Sequence, residues 1–192
     1  MSKRILVVLG HSAADSLCGA LAETYAATAH AAGHQVHLLK LGELAFDPVL
    51  HEGYTKIQPL EPDLLSAQQD ILWAQHLVFV YPTWWGALPA LLKGFIDRVF
   101  LPGFAFKYRE NSAWWDRLLV GRSAHLIVTM DSPPWYYRWI SRMPGHHQMK
   151  KTILEYCGIK PVRITSFGPI RNSTDRQREQ WLASVKRLAA QA

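Results

Sequence analysis

The chain carries three short stretches whose residue types suit the binding of a flat, anionic molecule, and each directly follows an apolar run. The first is His11-Ser12-Ala13-Ala14-Asp15-Ser16-Leu17-Cys18, which leads from Gly10 into an alanine-rich segment. Small and hydroxyl residues between a strand and a helix leave N–H groups free at the helix N-terminus, where the dipole favours a phosphate. The stretch has neither the glycines of a dinucleotide fingerprint nor the Gly-Lys-Ser/Thr end of a P-loop. Ser12, Asp15 or Ser16 suits a plain N-cap equally well. The second stretch is Pro82-Thr83-Trp84-Trp85-Gly86-Ala87-Leu88-Pro89. Two adjacent indoles on an irregular segment cannot both enter one core. Either they cap a hydrophobic cluster, or at least one faces a cleft where a planar ring can stack. The third, Met130 to Gly145, holds Pro133-Pro134 and then Trp135, Tyr136, Tyr137 and Trp139, the makings of a stiff aromatic wall.

The elements around these stretches alternate. Ile5 to Leu9, Leu77 to Tyr81, Ala124 to Thr129 and Val162 to Phe167 are strand-length apolar or β-branched runs, and Gln35 to Leu39 adds a shorter alternating one. Continuous apolar runs of that kind suit parallel strands buried on both faces. Leu17 to Ala32, Leu64 to Trp73, Leu88 to Val99, His146 to Tyr156 and Thr174 to Ala190 read as helices, with Asp63 and the Asn172 to Thr174 segment as caps. Gly94 inside the third helix implies close packing against another element. Residues 42–62 form a long connection, and Leu101 to Gly121, with Trp114-Trp115, an ordered excursion. Five strands alternating with five helices predict one α/β domain over residues 1–192, a doubly wound parallel sheet. Such sheets bind ligands beyond the carboxyl ends of their strands, which is where all three stretches fall.

Composition narrows the class. The 192 residues are 49% hydrophobic and 19% charged, enough apolar surface for a folded core. The longest apolar runs fall far short of the roughly 20 residues that span a bilayer, and Gly10-His11 interrupts the signal-like start. Cys18 and Cys157 make neither a disulfide framework nor a metal-ligand spacing, which places the chain in a reducing cytoplasm. His34 and His37 fall on opposite faces of a strand, so no metal site is expected.

The block Pro82 to Phe100, followed by Gly103-Phe104-Ala105-Phe106, resembles the signature of the NAD(P)H quinone oxidoreductase family, and His11-Ser12 ahead of Ser16 is similar to its flavin-phosphate loop. The resemblance implies a flavodoxin-like three-layer sandwich with a five-stranded parallel sheet of order 2-1-3-4-5. It implies a bound flavin, FAD or FMN, with NAD(P)H as donor and a quinone-like acceptor reduced by two electrons in a ping-pong cycle. Azo- or nitro-compound reduction on the same scaffold is an alternative, as is a flavin-binding regulatory subunit with a peripheral membrane partner. It also implies a homodimer with sites at the subunit interface. By position, His11, Ser16, Leu17 and Cys18 would hold the phosphate. Pro82, Thr83, Trp84 and Trp85 would hold the ring through amides and stacking, with Thr129 beside them. Tyr137 matches a catalytic tyrosine, with Tyr136 an alternative, but Met130-Asp131-Ser132-Pro133-Pro134 replaces a glycine run and Met143 falls where the family has histidine, which leaves His146 or His147 as substitutes.

Charge is distributed unevenly. Residues 1–135 hold 10 Lys+Arg against 12 Asp+Glu, net −2; residues 136–192 hold 11 against 3, net +8. An excess so localised argues against general nucleic-acid binding and predicts a basic rim near Arg138 and Arg142 that attracts the phosphates of NADPH.

Overall fold

A computed structural model describes residues 2–192. Strand β1 (Arg4–Leu9), helix α1 (Leu17–Ala31) and strand β2 (Gln35–Lys40) open the chain. After a long connection come α2 (Pro62–Trp73), β3 (His76–Pro82) and α3 (Ala90–Val99). A short antiparallel hairpin, β4 (Phe106–Tyr108) and β5 (Trp115–Arg117), forms the ordered excursion. Then follow β6 (Ser123–Thr129), α4 (Pro134–Trp139), α5 (Pro144–His147), a π-helical stretch Gln148–Leu154, α6 (Glu155–Cys157), β7 (Val162–Phe167) and α7 (Asp175–Ala190). The main sheet is parallel throughout, in the order β2-β1-β3-β6-β7, which is the expected 2-1-3-4-5 once the hairpin is set aside.

Alternation along the strands divides the core. Ile5, Val7, Leu9, Val78 and Val80 face α1 and α7, where Leu21, Ala22, Tyr25 and Val185 meet them. Leu6, Val8, Leu77, Phe79 and Leu126 face the other way, against Leu64 and Ile71 of α2, Leu92 and Phe95 of α3, and Leu154. Burying each such side chain contributes about 1.5–3 kcal/mol.

Four local expectations change. Helix α3 starts at Ala90 rather than Leu88, because the residue before a proline is pushed out of the helical region and Pro89 caps the helix. Asp63 does not cap α2; Glu61 is the N-cap, Pro62 takes the first turn, and Asp63 accepts a hydrogen bond from the Ala45 amide at 2.7 Å. The third loop contains a helix, α4, started by a proline whose fixed φ suits a first helical turn. The helix expected over His146 to Tyr156 begins at Pro144 and widens into the π-helical stretch.

The connection after β2 is held from below by one side chain. Arg98 of α3 is fully buried. Its guanidinium donates to the carbonyl of Asp47, to that of Pro59 (2.9 Å) and to both carboxylate oxygens of Glu61 (2.8 and 3.2 Å). Gly94 serves the same contact, as expected: a Cβ there would stand 2.5 Å from that of Pro48. Glu61 keeps contact with solvent, so removing Arg98 leaves no buried charge but takes the partner from two carbonyls and a half-buried carboxylate, at a cost of about 1–3 kcal/mol. Arg98→Met should therefore lower the unfolding free energy by that order and expose residues 42–61 to proteolysis; a loss below about 1 kcal/mol in urea titrations would contradict this role.

At the amino edge of the sheet His76 bonds Ser123 (2.8 Å) and His125 bonds Thr165 (2.9 Å). Burial first, then the nearby charges of Lys3 and Arg163 for His76 and of Arg163 for His125, pushes both down to about 4. Between the ordinary 6.5 and about 4 the unfolded chain binds protons that the folded chain refuses, so stability falls as the pH falls through that window. Urea midpoints measured from pH 7 to 4 should show the decline, and His125→Gln should make it shallower without removing it, since His76 titrates in the same window.

Candidate active site

The three stretches meet at the carboxyl edge of β1, β3 and β6, where the strand order reverses. Ser16 caps α1: its Oγ accepts from the Gly19 amide (3.1 Å) and donates to the Ala13 carbonyl (2.9 Å). The amides of Leu17 and Cys18, in the first turn, have no carbonyl four residues back within the helix. Glycine is required where the loop folds down on α1, since a Cβ on Gly19 would lie 1.8 Å from the Ala14 carbonyl oxygen. His11 Nδ1 accepts from the Ala13 amide (2.9 Å), which leaves Nε2 for a ligand, and its ring stands edge-on to Trp84 at 5.4 Å. Cys18 Sγ lies 3.2 Å from Thr129 Oγ1. Burial, partly offset by that contact, pushes the thiol up to about 11, so it stays protonated and is no nucleophile at neutral pH.

The tryptophan stretch forms a tight turn. Trp84 and Ala87 exchange amide-to-carbonyl hydrogen bonds of 3.1 and 3.0 Å, and the central residues Trp85 and Gly86 have φ of 51° and 75°. Positive φ at both positions is the primed hairpin geometry, which favours Asn-Gly; a bulky residue at the first is strained. Trp85 is nonetheless fully exposed. The ring-binding amides expected over Pro82 to Trp85 are mostly committed elsewhere: proline has none, Thr83 donates to the Thr129 carbonyl (2.7 Å), and Trp84 donates to Ala87. Among those four positions Trp85 alone keeps an outward amide, joined by Gly86 from the centre of the same turn.

Tyr137 locks this turn. Its buried hydroxyl donates to the Gly86 carbonyl and accepts from the Gly145 amide, both at 2.9 Å. Burial raises its pKa despite the opposing Gly145 and His146 amides. Gly145 has no room for a side chain, because a Cβ would lie 2.9 Å from the Gly86 oxygen. His146, not the exposed His147, packs edge-on to Tyr137 at 5.0 Å and bonds Ser166 through Nε2 at 2.9 Å, while its Nδ1 has no partner. Burial first and His147 second hold it near 4, hence neutral at pH 7. Met143 packs, partly buried, against the larger core cluster and lines a small cavity with His146 and Ile164.

Two cavities run along this edge. One of about 210 Å³ is lined by His11, Ser16, Leu17, Cys18, Pro82, Thr83, Trp84 and Thr129; the other, of about 400 Å³, by Trp84, Trp85, Gly86, Tyr137 and Ser141. They share Thr83, Trp84, Met130 and Asp131 and so form one groove. All ten singled-out residues border it. Gly86, Met130, Asp131 and Ser141, which belong to the singled-out stretches without a role assigned to them, also line it, as does Ile170, which no motif in the sequence marks. Asp131 is held by the Arg171 amide (3.0 Å). Trp135, Trp139, Arg138 and Arg142 line neither cavity, so the aromatic wall and the basic rim do not form as expected.

The turn yields two tests. Trp85→Asn should raise the unfolding free energy by roughly 1 kcal/mol by relieving the strain at positive φ. Tyr137→Phe should lower it by about 1–3 kcal/mol, because two buried backbone groups lose their partner. Thermal or urea denaturation reads both, and opposite signs would contradict the strain and the lock.

Comparison with known proteins agrees with this geometry. A family model described as a flavodoxin-like fold matches residues 3–191. An uncharacterized NAD(P)H oxidoreductase of Haemophilus influenzae is 31% identical over 163 residues, covering 83% of this chain and 78% of its own. One of Escherichia coli is 32% identical over 173 residues, covering 85% and 83%. The solved NAD(P)H:quinone oxidoreductase of Methanothermobacter marburgensis shares the fold, with a TM-score of 0.82 at 22% identity over 99% of this chain and 98% of its own. With its sheet order, its groove at the switch point and its Pro82 to Phe100 block, the chain belongs to the flavodoxin-like family of NAD(P)H oxidoreductases that includes the quinone reductases.

Proposed function

We propose that the chain is a flavin-dependent NAD(P)H dehydrogenase that reduces quinones or similar planar acceptors by two electrons. The observation that carries this reading is a single groove with a helix N-terminus at one end and the strained Trp84–Ala87 turn at the other. The groove fits a flavin chemically. The free amides of Leu17 and Cys18, with Ser16 and the Nε2 of His11, suit its phosphate. Trp84, Trp85 and the amides of Trp85 and Gly86 suit a flat ring with hydrogen-bond acceptors on its edge. FMN and FAD share this phosphate and ring.

Flavin, when bound, accepts hydride from NAD(P)H and passes both electrons to the acceptor. The chain's own work is positioning. The Trp85 and Gly86 amides would donate to the edge of a bound flavin ring, and the Tyr137 hydroxyl fixes their turn by gripping the Gly86 carbonyl. Tyr137 is thus a positioning residue. Titratable groups play little part, which agrees with a protonated Cys18 and a neutral His146.

We further propose a homodimer with the site at the subunit interface. Trp85 stands wholly outside its own fold. A separate cavity of about 380 Å³, lined by Phe106, Tyr108 and Tyr156, offers an aromatic surface to a second copy.

Purified chain should retain or take up FMN or FAD, and extraction identifies which; uptake of neither would sink the proposal. Specificity constants for a quinone, an azo dye and a nitroarene should favour the quinone. Retained flavin with negligible NAD(P)H oxidation would instead favour a regulatory subunit. Light scattering should give twice the chain mass, and a fully active monomer would exclude an interfacial site.

A further inference from the structure

We infer that the outward face of α4 docks on an anionic lipid surface. Helix α4 is short and rigidly held: Pro133-Pro134 sets its start, Tyr137 is tied into the turn beneath it, and Arg142 and Met143, with φ of 58° and 51°, break the chain behind it. Its other large side chains therefore cannot retreat inward. Trp135 and Trp139, four residues apart, share one side, with Tyr136 and Ile140 on the side next to it; they are 63%, 70%, 43% and 61% exposed. Folding leaves about half or more of each of them uncovered.

Cations are set among these aromatics. The Arg138 guanidinium lies 5.3 Å over the Trp139 ring, and among the described residues neither Arg138 nor Arg142 forms an ion pair. From Ser132 to Leu154 there is no Asp or Glu. Lys150 and Lys151 lie in the same segment and share the single carboxylate of Glu155, which leaves one positive charge there beside the two of the arginines. Tryptophan and tyrosine settle at the headgroup level of a bilayer, and arginines beside them are drawn to anionic lipid. A second copy of the chain suits this face less well. A two-fold contact would bring the arginines of both copies together, with no acid in the segment to separate them. If the proposed function holds, docking would also place the Ser141 side of the groove near the layer where apolar quinones concentrate.

The test is co-sedimentation of the purified chain with phosphatidylglycerol or phosphatidylcholine vesicles at low salt. Retention on phosphatidylglycerol is expected, with blue-shifted tryptophan emission, release by salt, and binding at least fivefold weaker on phosphatidylcholine. Arg138→Gln and Arg142→Gln should each weaken retention by roughly fivefold. Trp135→Ser with Trp139→Ser should abolish it at unchanged circular dichroism. Three results would overturn the inference: no retention on phosphatidylglycerol, equal retention on both lipids, or retention untouched by the tryptophan pair. A tryptophan variant that turns a dimer into a monomer, while the parent chain ignores vesicles, would assign the face to a second copy instead. Retention is read without turnover, so its failure and failure of the proposed reaction are separate results.

Discussion

Val7 and Val8 point in opposite directions from one strand, and both are fully buried. That double burial governs the molecule. Strands covered by helices on both faces have no side left for chemistry, so their polar work is confined to the two ends. At the amino edge it produces neutral, hydrogen-bonded histidines. At the carboxyl edge, where β1 and β3 part toward different helices, it produces the groove. Helix α1 brings its free amides there because it must start where β1 stops.

The edge is rigid because its loops are tied to one another rather than to solvent. Thr83 bonds across to Thr129, Cys18 touches Thr129, and Tyr137 joins Gly86 to Gly145. Each tie crosses between loops that follow different strands. A ligand in the groove meets amides already aimed, and little has to be ordered when it binds.

Much of this was legible in residue pattern. Apolar runs of strand length are hard to place anywhere but a buried parallel sheet, so element order followed, while the sheet order came with the family resemblance of Pro82 to Phe100. The Trp84-Trp85 pair, too apolar for a loop and too crowded for a core, marked the cleft. What escaped depends on contacts distant in sequence. Nothing local distinguishes His146 from His147, yet one is buried beside Tyr137 and the other exposed. Nothing local shows that the Thr83 and Trp84 amides are already engaged, or that Asp63 would be drawn to Ala45 instead of its own helix. Nothing local marks Arg98 as an anchor; only the returning chain at Asp47, Pro59 and Glu61 makes it one. Trp135 and Trp139 seemed to belong with the cleft because they are its neighbours in sequence, but the α-helical turn between them points them away.

The π-helical stretch sets a different rhythm on the surface that follows α5. Its hydrogen bonds reach five residues back rather than four, so side chains five apart come into line. Met149 and Leu154 are such a pair, and both are completely buried; Lys150 and Glu155 are another, 3.9 Å apart. In an ordinary α-helix residues five apart diverge by well over a quarter turn. The segment therefore behaves as a helix carrying one residue too many, and a chain shorter by one between them would set Met149 and Leu154 four apart, on one face of an ordinary α-helix.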